Sequence, residues 1–227
     1  MGVAAEGGRS GAASVATPTG RVRKRPEERR AEILDTAAAI ALDGGLERIT
    51  LRAVADRLGV APGLISHYFP VAEDLVAEAF AAAATAERGQ LFAASGTGVQ
   101  RIAGFIARVR HPGSHDMTQL WLNARHLSRF RPAIAAALRA QEELDRTQLV
   151  ELIEAGMASG EFATTDALTA CVRIFIAVDG VGSYVNDESS FEHPAYEGFV
   201  TDAAEWALGI PPGALHAAVA ALISPTP

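Results

Sequence analysis

The chain has 227 residues, of which 49% are hydrophobic, and this amount of apolar material predicts one or two domains with buried cores. Its single cysteine, Cys171, excludes an internal disulfide and predicts a reducing, cytoplasmic compartment. The net charge of −7 hides an asymmetry, because residues 1–69 carry ten Lys/Arg against eight Asp/Glu, whereas residues 70–227 carry ten against nineteen.

The first part of the chain combines a polar tail with a run of basic residues. Residues 1–22 are rich in Gly, Ala, Ser and Thr and lack an apolar run, so they predict a disordered, basic tail and not a signal peptide. A first helix is predicted from Pro26 to about Leu42. A basic run is often only a solvated surface, but beside a DNA-binding element it can lie along phosphates or in the minor groove. On that basis we predict DNA contacts from Arg23, Lys24, Arg25 and Arg30.

Residues 49–75 have the pattern of a helix-turn-helix. Thr50 suits the N-cap of one short helix, Gly59 the left-handed residue that ends it, and Pro62 the first turn of the next. Such a pair directs its second helix into the DNA major groove. A plain helical hairpin is the alternative, but the exposed side of the second helix lacks the Glu, Lys and Gln that solvent-facing helices prefer. The predicted DNA contacts are Thr50, Arg52, Pro62, Gly63, Leu64, His67 and Tyr68.

These residues resemble the N-terminal domain of the TetR/AcrR family of bacterial transcriptional repressors. The matching segments are residues 33–37, 45–50, 51–55, 58–60 and 63–69, and the last is similar to the branch typified by the betaine-pathway repressor. The resemblance implies a repressor that binds double-stranded operator DNA as a homodimer and is released by a small-molecule effector. Ala72 departs from the family pattern, which usually has a Lys there against a DNA phosphate. One lost phosphate contact lowers affinity and salt dependence without removing the readout.

Beyond Pro70 the apolar spacing is helical throughout. Nine helices and a possible tenth are predicted for the whole chain, which is therefore all-α. We expect a three-helix helix-turn-helix DNA-binding domain at residues 23–70, on a larger helical ligand-binding and dimerisation bundle at residues 71–227. The helices predicted after the helix-turn-helix span residues 70–88, 99–110, 117–129, 133–159, 166–185, 195–208 and, for the possible tenth, 214–223.

The segment 166–185 is apolar in nearly every direction. Arg173 and Asp179 interrupt it, so a buried helix is favoured over a membrane span. A helix that is apolar all round needs cover on all sides. Because the resemblance implies that the last two long helices form a four-helix interface with a second copy, we predict a homodimer through residues 166–185 and 195–208 and no membrane association.

The resemblance also implies an effector pocket in the C-terminal bundle. Polar or aromatic residues in apolar helices are the candidates, although such residues more often belong to core packing or to the helix surface than to a ligand site. Asp179 needs a partner if it is buried, and Arg125, Arg173 or a cationic ligand would serve. The chemical class of the effector is not predicted. The candidate pocket residues are Phe105, Met117, Trp121, Asn123, Arg125, His126, Phe175, Asp179 and Tyr184, with Phe130 as a further possibility.

Catalysis is not indicated by any motif. Ser114, His115 and Asp116 are consecutive, and consecutive side chains diverge instead of converging as a triad must. His111 and His115 lack a third metal ligand, and no phosphate-binding loop is present. We therefore predict no catalytic residue, no metal and no cofactor. Two alternatives stay open. One is a regulator that responds to no small molecule and acts as an activator or through a protein partner. The other is a helical binding protein that has lost DNA binding, as Ala72 would allow.

Overall fold

The computed structural model describes residues 25–184, 186 and 193–223, and in this part of the chain every regular element is helical. The predicted all-α class is confirmed, and the tenth helix is present. The predicted tail and the arm residues Arg23 and Lys24 lie outside the described residues. The ten α-helices are α1 (Pro26–Gly44), α2 (Leu51–Leu58), α3 (Pro62–Tyr68), α4 (Ala72–Leu91), α5 (Gly98–Val109), α6 (His115–Leu127), α7 (Pro132–Ala158), α8 (Ala167–Gly182), α9 (Pro194–Leu208) and α10 (Ala214–Ile223).

Local capping chemistry explains where α2 and α3 begin and end. The Thr50 hydroxyl accepts a hydrogen bond from the amide of Ala53 at 3.0 Å, which satisfies one of the free donors of the first turn. Gly59 follows α2 with φ of 64°, a left-handed conformation that glycine adopts without a Cβ penalty. Pro62 is the first residue of α3. The helix-turn-helix geometry is therefore specified locally.

The first hydrophobic core joins the N-terminal helices to the bundle. Ile33 of α1, Ile65 of α3 and Phe80 of α4 are fully buried in one continuous cluster, which also includes Leu120 of α6. The rings of Phe80 and Trp121 meet edge to face with 5.1 Å between centroids. Because α1 packs on both α4 and α6 through this core, a displacement of either helix reaches α1 to α3 directly.

A second core lies within the C-terminal bundle, among α5, α7, α8, α9 and α10. Cys171 of α8 is fully buried there, and its burial raises the pKa of the thiol to about 11. A thiol with this pKa is protonated and unreactive near neutral pH, so Cys171 serves to pack α8.

The helix α8 is shorter than its sequence pattern predicts. It ends at Gly182, so Tyr184 lies in the turn beyond the helix.

Among the described residues, none of the helices combines the length and hydropathy required to cross a membrane.

Gly156 shows how closely the second core is packed. A Cβ added at Gly156 would lie 2.1 Å from Cε2 of the Phe162 ring, and that ring is buried. We expect Gly156→Ala to lower the free energy of unfolding by about 1–3 kcal/mol, measured by urea denaturation. Gly89→Ala is the control, because a Cβ at Gly89 meets no atom within 4 Å in the described part of the chain. Equal stability of Gly156→Ala and wild type would contradict the tight contact.

Candidate DNA-binding face and ligand cavity

The outer side of α3 is exposed and nearly free of bulky side chains. Pro62, Gly63 and His67 are exposed on α3, and Thr50 and Arg52 are exposed at the start of α2. A Cβ on Gly63 would meet no atom of the described residues within 4 Å. This face allows another surface to approach the α3 backbone closely, as entry into a major groove requires.

The predicted contacts Leu64 and Tyr68 are only partly available. Both are half-buried, and Tyr68 packs against the first core. The Tyr68 ring meets the exposed His67 ring edge to face, with 5.4 Å between centroids. Packing against Tyr68 therefore orients the imidazole of His67 on the outer face of α3.

The arginines of α1 divide into different roles. Arg25 caps α1, and its Nε donates to Glu28 at 2.8 Å. Arg30 pairs with Glu78 of α4 at 2.5 Å, and its guanidinium carbon lies 4.8 Å from the centroid of the Phe69 ring. Arg30 thus fixes the end of α3 against α4, whereas Arg52 is exposed and has only a 3.7 Å contact with Asp56.

A cavity of about 720 Å³ lies between the helices α4 to α9. Its walls are mainly apolar, with several charged groups among them. Six of the nine predicted pocket residues line this cavity: Phe105, Met117, Trp121, Arg125, Phe175 and Asp179.

Three predicted pocket residues do not line this cavity. Asn123 is two residues from both Trp121 and Arg125, which places it on the opposite side of α6. His126 directly follows Arg125 and is turned away from it by roughly 100° around the helix. They line a smaller cleft against the end of α1. Tyr184 is exposed and packs edge to face on Tyr196 with 5.7 Å between centroids. The further candidate Phe130 is also exposed.

Asn123 instead joins the bundle to the N-terminal helices. Its Oδ1 accepts a hydrogen bond from the amide of Leu46 at 2.8 Å. Its Nδ2 donates to Glu47 Oε2 at 2.9 Å. The helix α6 therefore lines the cavity with one face and holds the segment before α2 with the other.

Asp179 finds its partner within the cavity. Arg125 Nη2 donates to Asp179 Oδ2 at 3.0 Å, and the same guanidinium lies 3.4 Å from Glu142 through Nε. Burial raises the pKa of the Asp179 carboxyl in spite of the nearby Arg125 charge. The other predicted partner, Arg173, lies over the Trp206 ring at 4.3 Å from its centroid.

Sequence reasoning missed the charged residues that α4 and α7 contribute to the cavity wall. On long helices, charged residues normally indicate a solvated face, so their inward position had no sequence signal. Desolvation also raises the pKa of Asp145, which lies 2.5 Å from the Nε of the buried Arg88. The missed charged residues are Glu87, Glu142, Asp145 and Arg146.

The paired helices α8 and α9 leave a broad apolar face in contact with solvent. Ile176 of α8 is 66% exposed, and Phe199 and Trp206 of α9 are 51% and 67% exposed. Leu168 and Val172 of α8 are also exposed. Contiguous apolar surface of this kind is typical of an interface with another protein surface.

The N-terminal helices match a known family. Residues 33–79 match the model of the bacterial regulatory proteins of the tetR family. The transcriptional repressor KstR of Mycobacterium tuberculosis is 56% identical over 43 residues. That match covers 19% of this chain and 20% of KstR, so the likeness is confined to about a fifth of the relative's length.

The fold of about four fifths of the chain is shared with solved regulators. A transcriptional regulator of Saccharomonospora viridis in complex with choline has a TM-score of 0.65 at 20% identity, over 78% of this chain and 95% of that one. The regulator FadR of Bacillus subtilis in complex with stearoyl-CoA has a TM-score of 0.61 at 18% identity, over 80% and 98%. At these identities the likeness establishes the fold alone. Over residues 33–79, the chain therefore matches the bacterial regulatory proteins of the tetR family.

Proposed function

We propose that the protein is a sequence-specific DNA-binding transcriptional repressor that acts as a homodimer and leaves its operator when a small molecule binds. The observation that carries this proposal is the open outer face of α3 around Gly63. That face lies within residues 33–79, which match the family.

In the proposed complex, each α3 enters a major groove, and the two copies read half-sites about 34 Å apart. Thr50 and Arg52 contact the flanking backbone, whereas Pro62, Gly63 and His67 approach base edges. Leu64 and Tyr68 contribute only their exposed parts. Arg23, Lys24, Arg25 and Arg30 are proposed to contact phosphates or the minor groove, and their charge offsets the missing lysine at Ala72.

The dimer is proposed to form through the apolar face of α8 and α9. A second copy would cover Ile176, Phe199 and Trp206, which one chain leaves exposed. A twofold interface of this kind is closed and self-complementary. It also fixes the separation of the two α3 helices, on which operator binding depends.

The ligand step uses the cavity between α4 and α9. A ligand that binds one arrangement of these helices better than another shifts the equilibrium toward it. The helix α6 connects the two sites, since Trp121 and Arg125 line the cavity while Asn123 holds Leu46. The cavity favours this function over a regulator without a small-molecule inducer. In this account residues 23–70 bind DNA and residues 71–227 bind ligand and the second copy, in the cytoplasm.

The ligands of the two solved neighbours differ in size and charge, and neither is transferred to this chain. Choline in the Saccharomonospora viridis regulator is in keeping with the branch that residues 63–69 resemble. Membership of the betaine-repressor-like branch is part of the proposal.

His67→Ala tests the sequence-specific part of the function. We expect it to weaken binding to the preferred duplex by about tenfold, as for one lost base contact, and to leave binding to a scrambled duplex nearly unchanged. Fluorescence anisotropy with both duplexes measures the ratio. His216→Ala, on α10, is the control. Unchanged affinity and unchanged preference in His67→Ala would contradict base reading by α3.

A further inference from the structure

The charged groups of the cavity wall are unevenly paired at one place, the junction of α6, α7 and α8. Each wall carboxylate has an arginine partner, but two of them share one. Glu87 pairs with Arg108 at 2.7 Å, and Asp145 pairs with Arg88. Glu142 and Asp179 both depend on Arg125, the former at 3.4 Å and the latter at 3.0 Å. The junction of α6, α7 and α8 therefore has one negative charge in excess.

The surroundings of this excess charge suit an organic cation. The junction opens into a cavity lined by Trp121, Phe105 and Phe175, and Phe105 and Phe175 meet edge to face with 6.2 Å between centroids. Aromatic faces attract cations, most strongly where water is excluded. The Arg125 guanidinium already lies 5.7 Å from the centroid of the Trp121 ring.

An anion is less well suited to the same position. Arg125 would be its natural partner, but this guanidinium is already held by two carboxylates, which an anion would have to displace. A cation is favoured for the opposite reason. It adds a second positive charge at a place where two carboxylates share a single arginine. Of the other basic groups that line the cavity, Arg146 of α7 pairs with Glu143, and Arg110, His111 and His115 are exposed at the rim.

We infer that the cavity takes an apolar ligand with one positive charge, and that this charge binds Asp179 in place of the Arg125 guanidinium. The inference rests on the proposed function, since it takes this cavity as the effector site. It names the chemical class of the effector: an amine or quaternary ammonium with an apolar body large enough to occupy part of about 720 Å³.

Replacement of Arg125 also gives the ligand a route to the DNA-binding helices. Once released by Asp179, Arg125 keeps the longer contact with Glu142 of α7 and its position near the Trp121 ring. Arg125 lies on α6, two residues after Asn123, which accepts the amide hydrogen of Leu46. The exchange therefore removes a link between α6 and α8 and allows α6 to move together with the segment before α2.

Three probes with the same octyl chain test the charge preference on the purified full chain: octyltrimethylammonium, octanoate and octanol. Isothermal titration calorimetry below the micellar concentration measures each affinity without DNA. We expect octyltrimethylammonium to bind at least about tenfold more tightly than octanoate or octanol, as for one added charged contact. Tighter binding of octanoate, or equal binding of all three, would overturn the inference.

Variants identify the position of the charge. Asp179→Asn should weaken octyltrimethylammonium binding by about tenfold or more, and Glu142→Gln should weaken it less. Arg125→Gln should tighten it several-fold, because the competing guanidinium is removed. Glu151→Gln removes an exposed carboxylate of α7 outside the cavity and is the matched control. The proposed replacement of Arg125 by the cation would be overturned if Arg125→Gln bound octyltrimethylammonium more weakly than wild type and Asp179→Asn bound it with wild-type affinity.

A DNA experiment separates this inference from the proposed function. Octyltrimethylammonium is added to the protein bound to its preferred duplex, and anisotropy records release. Binding of the cation by calorimetry without release would leave the ligand class standing and contradict the release mechanism. Release by octanoate or octanol alone would support the proposed function and overturn the ligand class.

Discussion

Gly63→Glu is expected to abolish specific DNA binding while the protein remains folded. The outer face of α3 allows close approach to DNA only because residue 63 has no side chain, and a carboxylate there would face the phosphates in both subunits. We expect an affinity loss of about 100-fold or more in anisotropy titrations, since both close approach and charge complementarity are lost. The thermal midpoint should stay equal or rise, because Gly63 is in the first turn of α3, where an acidic residue is favourable.

The control for this prediction is Gly89→Glu. Gly89 of α4 is also exposed, and an added Cβ there also meets no atom within 4 Å in the described part of the chain. The Gly89→Glu substitution makes the same change of charge and size at a distance from α3. Wild-type DNA affinity in Gly63→Glu, or an equal loss in both variants, would be incompatible with α3 as the recognition helix.

The double substitution Phe199→Asp and Trp206→Asp should convert the protein into a monomer. Burying an unpaired carboxylate costs about 2 kcal/mol or more, and twofold symmetry repeats each substitution in the partner copy. Dimerisation should weaken by at least about 100-fold, measured by analytical ultracentrifugation. Operator affinity should fall with it, because a monomer reads one half-site only.

Phe130→Asp is the matched control, since this exposed aromatic residue lies in the turn between α6 and α7 and outside the α8–α9 face. It should stay dimeric. A dimer that persists in the double variant would move the interface elsewhere. A monomeric wild type would remove the proposed twofold arrangement altogether.

The features that sequence reasoning identified are those encoded within a few residues. Thr50, Gly59 and Pro62 each satisfy a local backbone requirement, so the ends of α2 and α3 are where these residues predict. The apolar spacing of each segment likewise predicted an all-α chain. Helix ends were predicted less accurately. The apolar pattern extends to residue 185, whereas α8 ends at Gly182, since apolar spacing does not mark the last turn of a helix.

Features that depend on contacts between distant segments of the chain could not be predicted from the sequence. Asn123 looked like a pocket residue because it is polar in an apolar helix, yet it binds Leu46, 77 positions earlier in the chain. Glu142 looked like a surface residue of a long helix, and only the packing of α6, α7 and α8 brings it to Arg125. Residue type indicated that Asp179 needs a partner, but choosing between Arg125 and Arg173 required the rotation of α8.

Selection of duplexes from a random-sequence DNA library by the purified full chain tests the central claim most directly. The bound duplexes are sequenced, and the enriched sequence is titrated by anisotropy at low and physiological salt. The account predicts an enriched inverted repeat with half-sites about one helical turn apart, bound more weakly as salt increases. A selection that enriches no sequence, with equal binding to all duplexes, would contradict sequence-specific recognition by this protein.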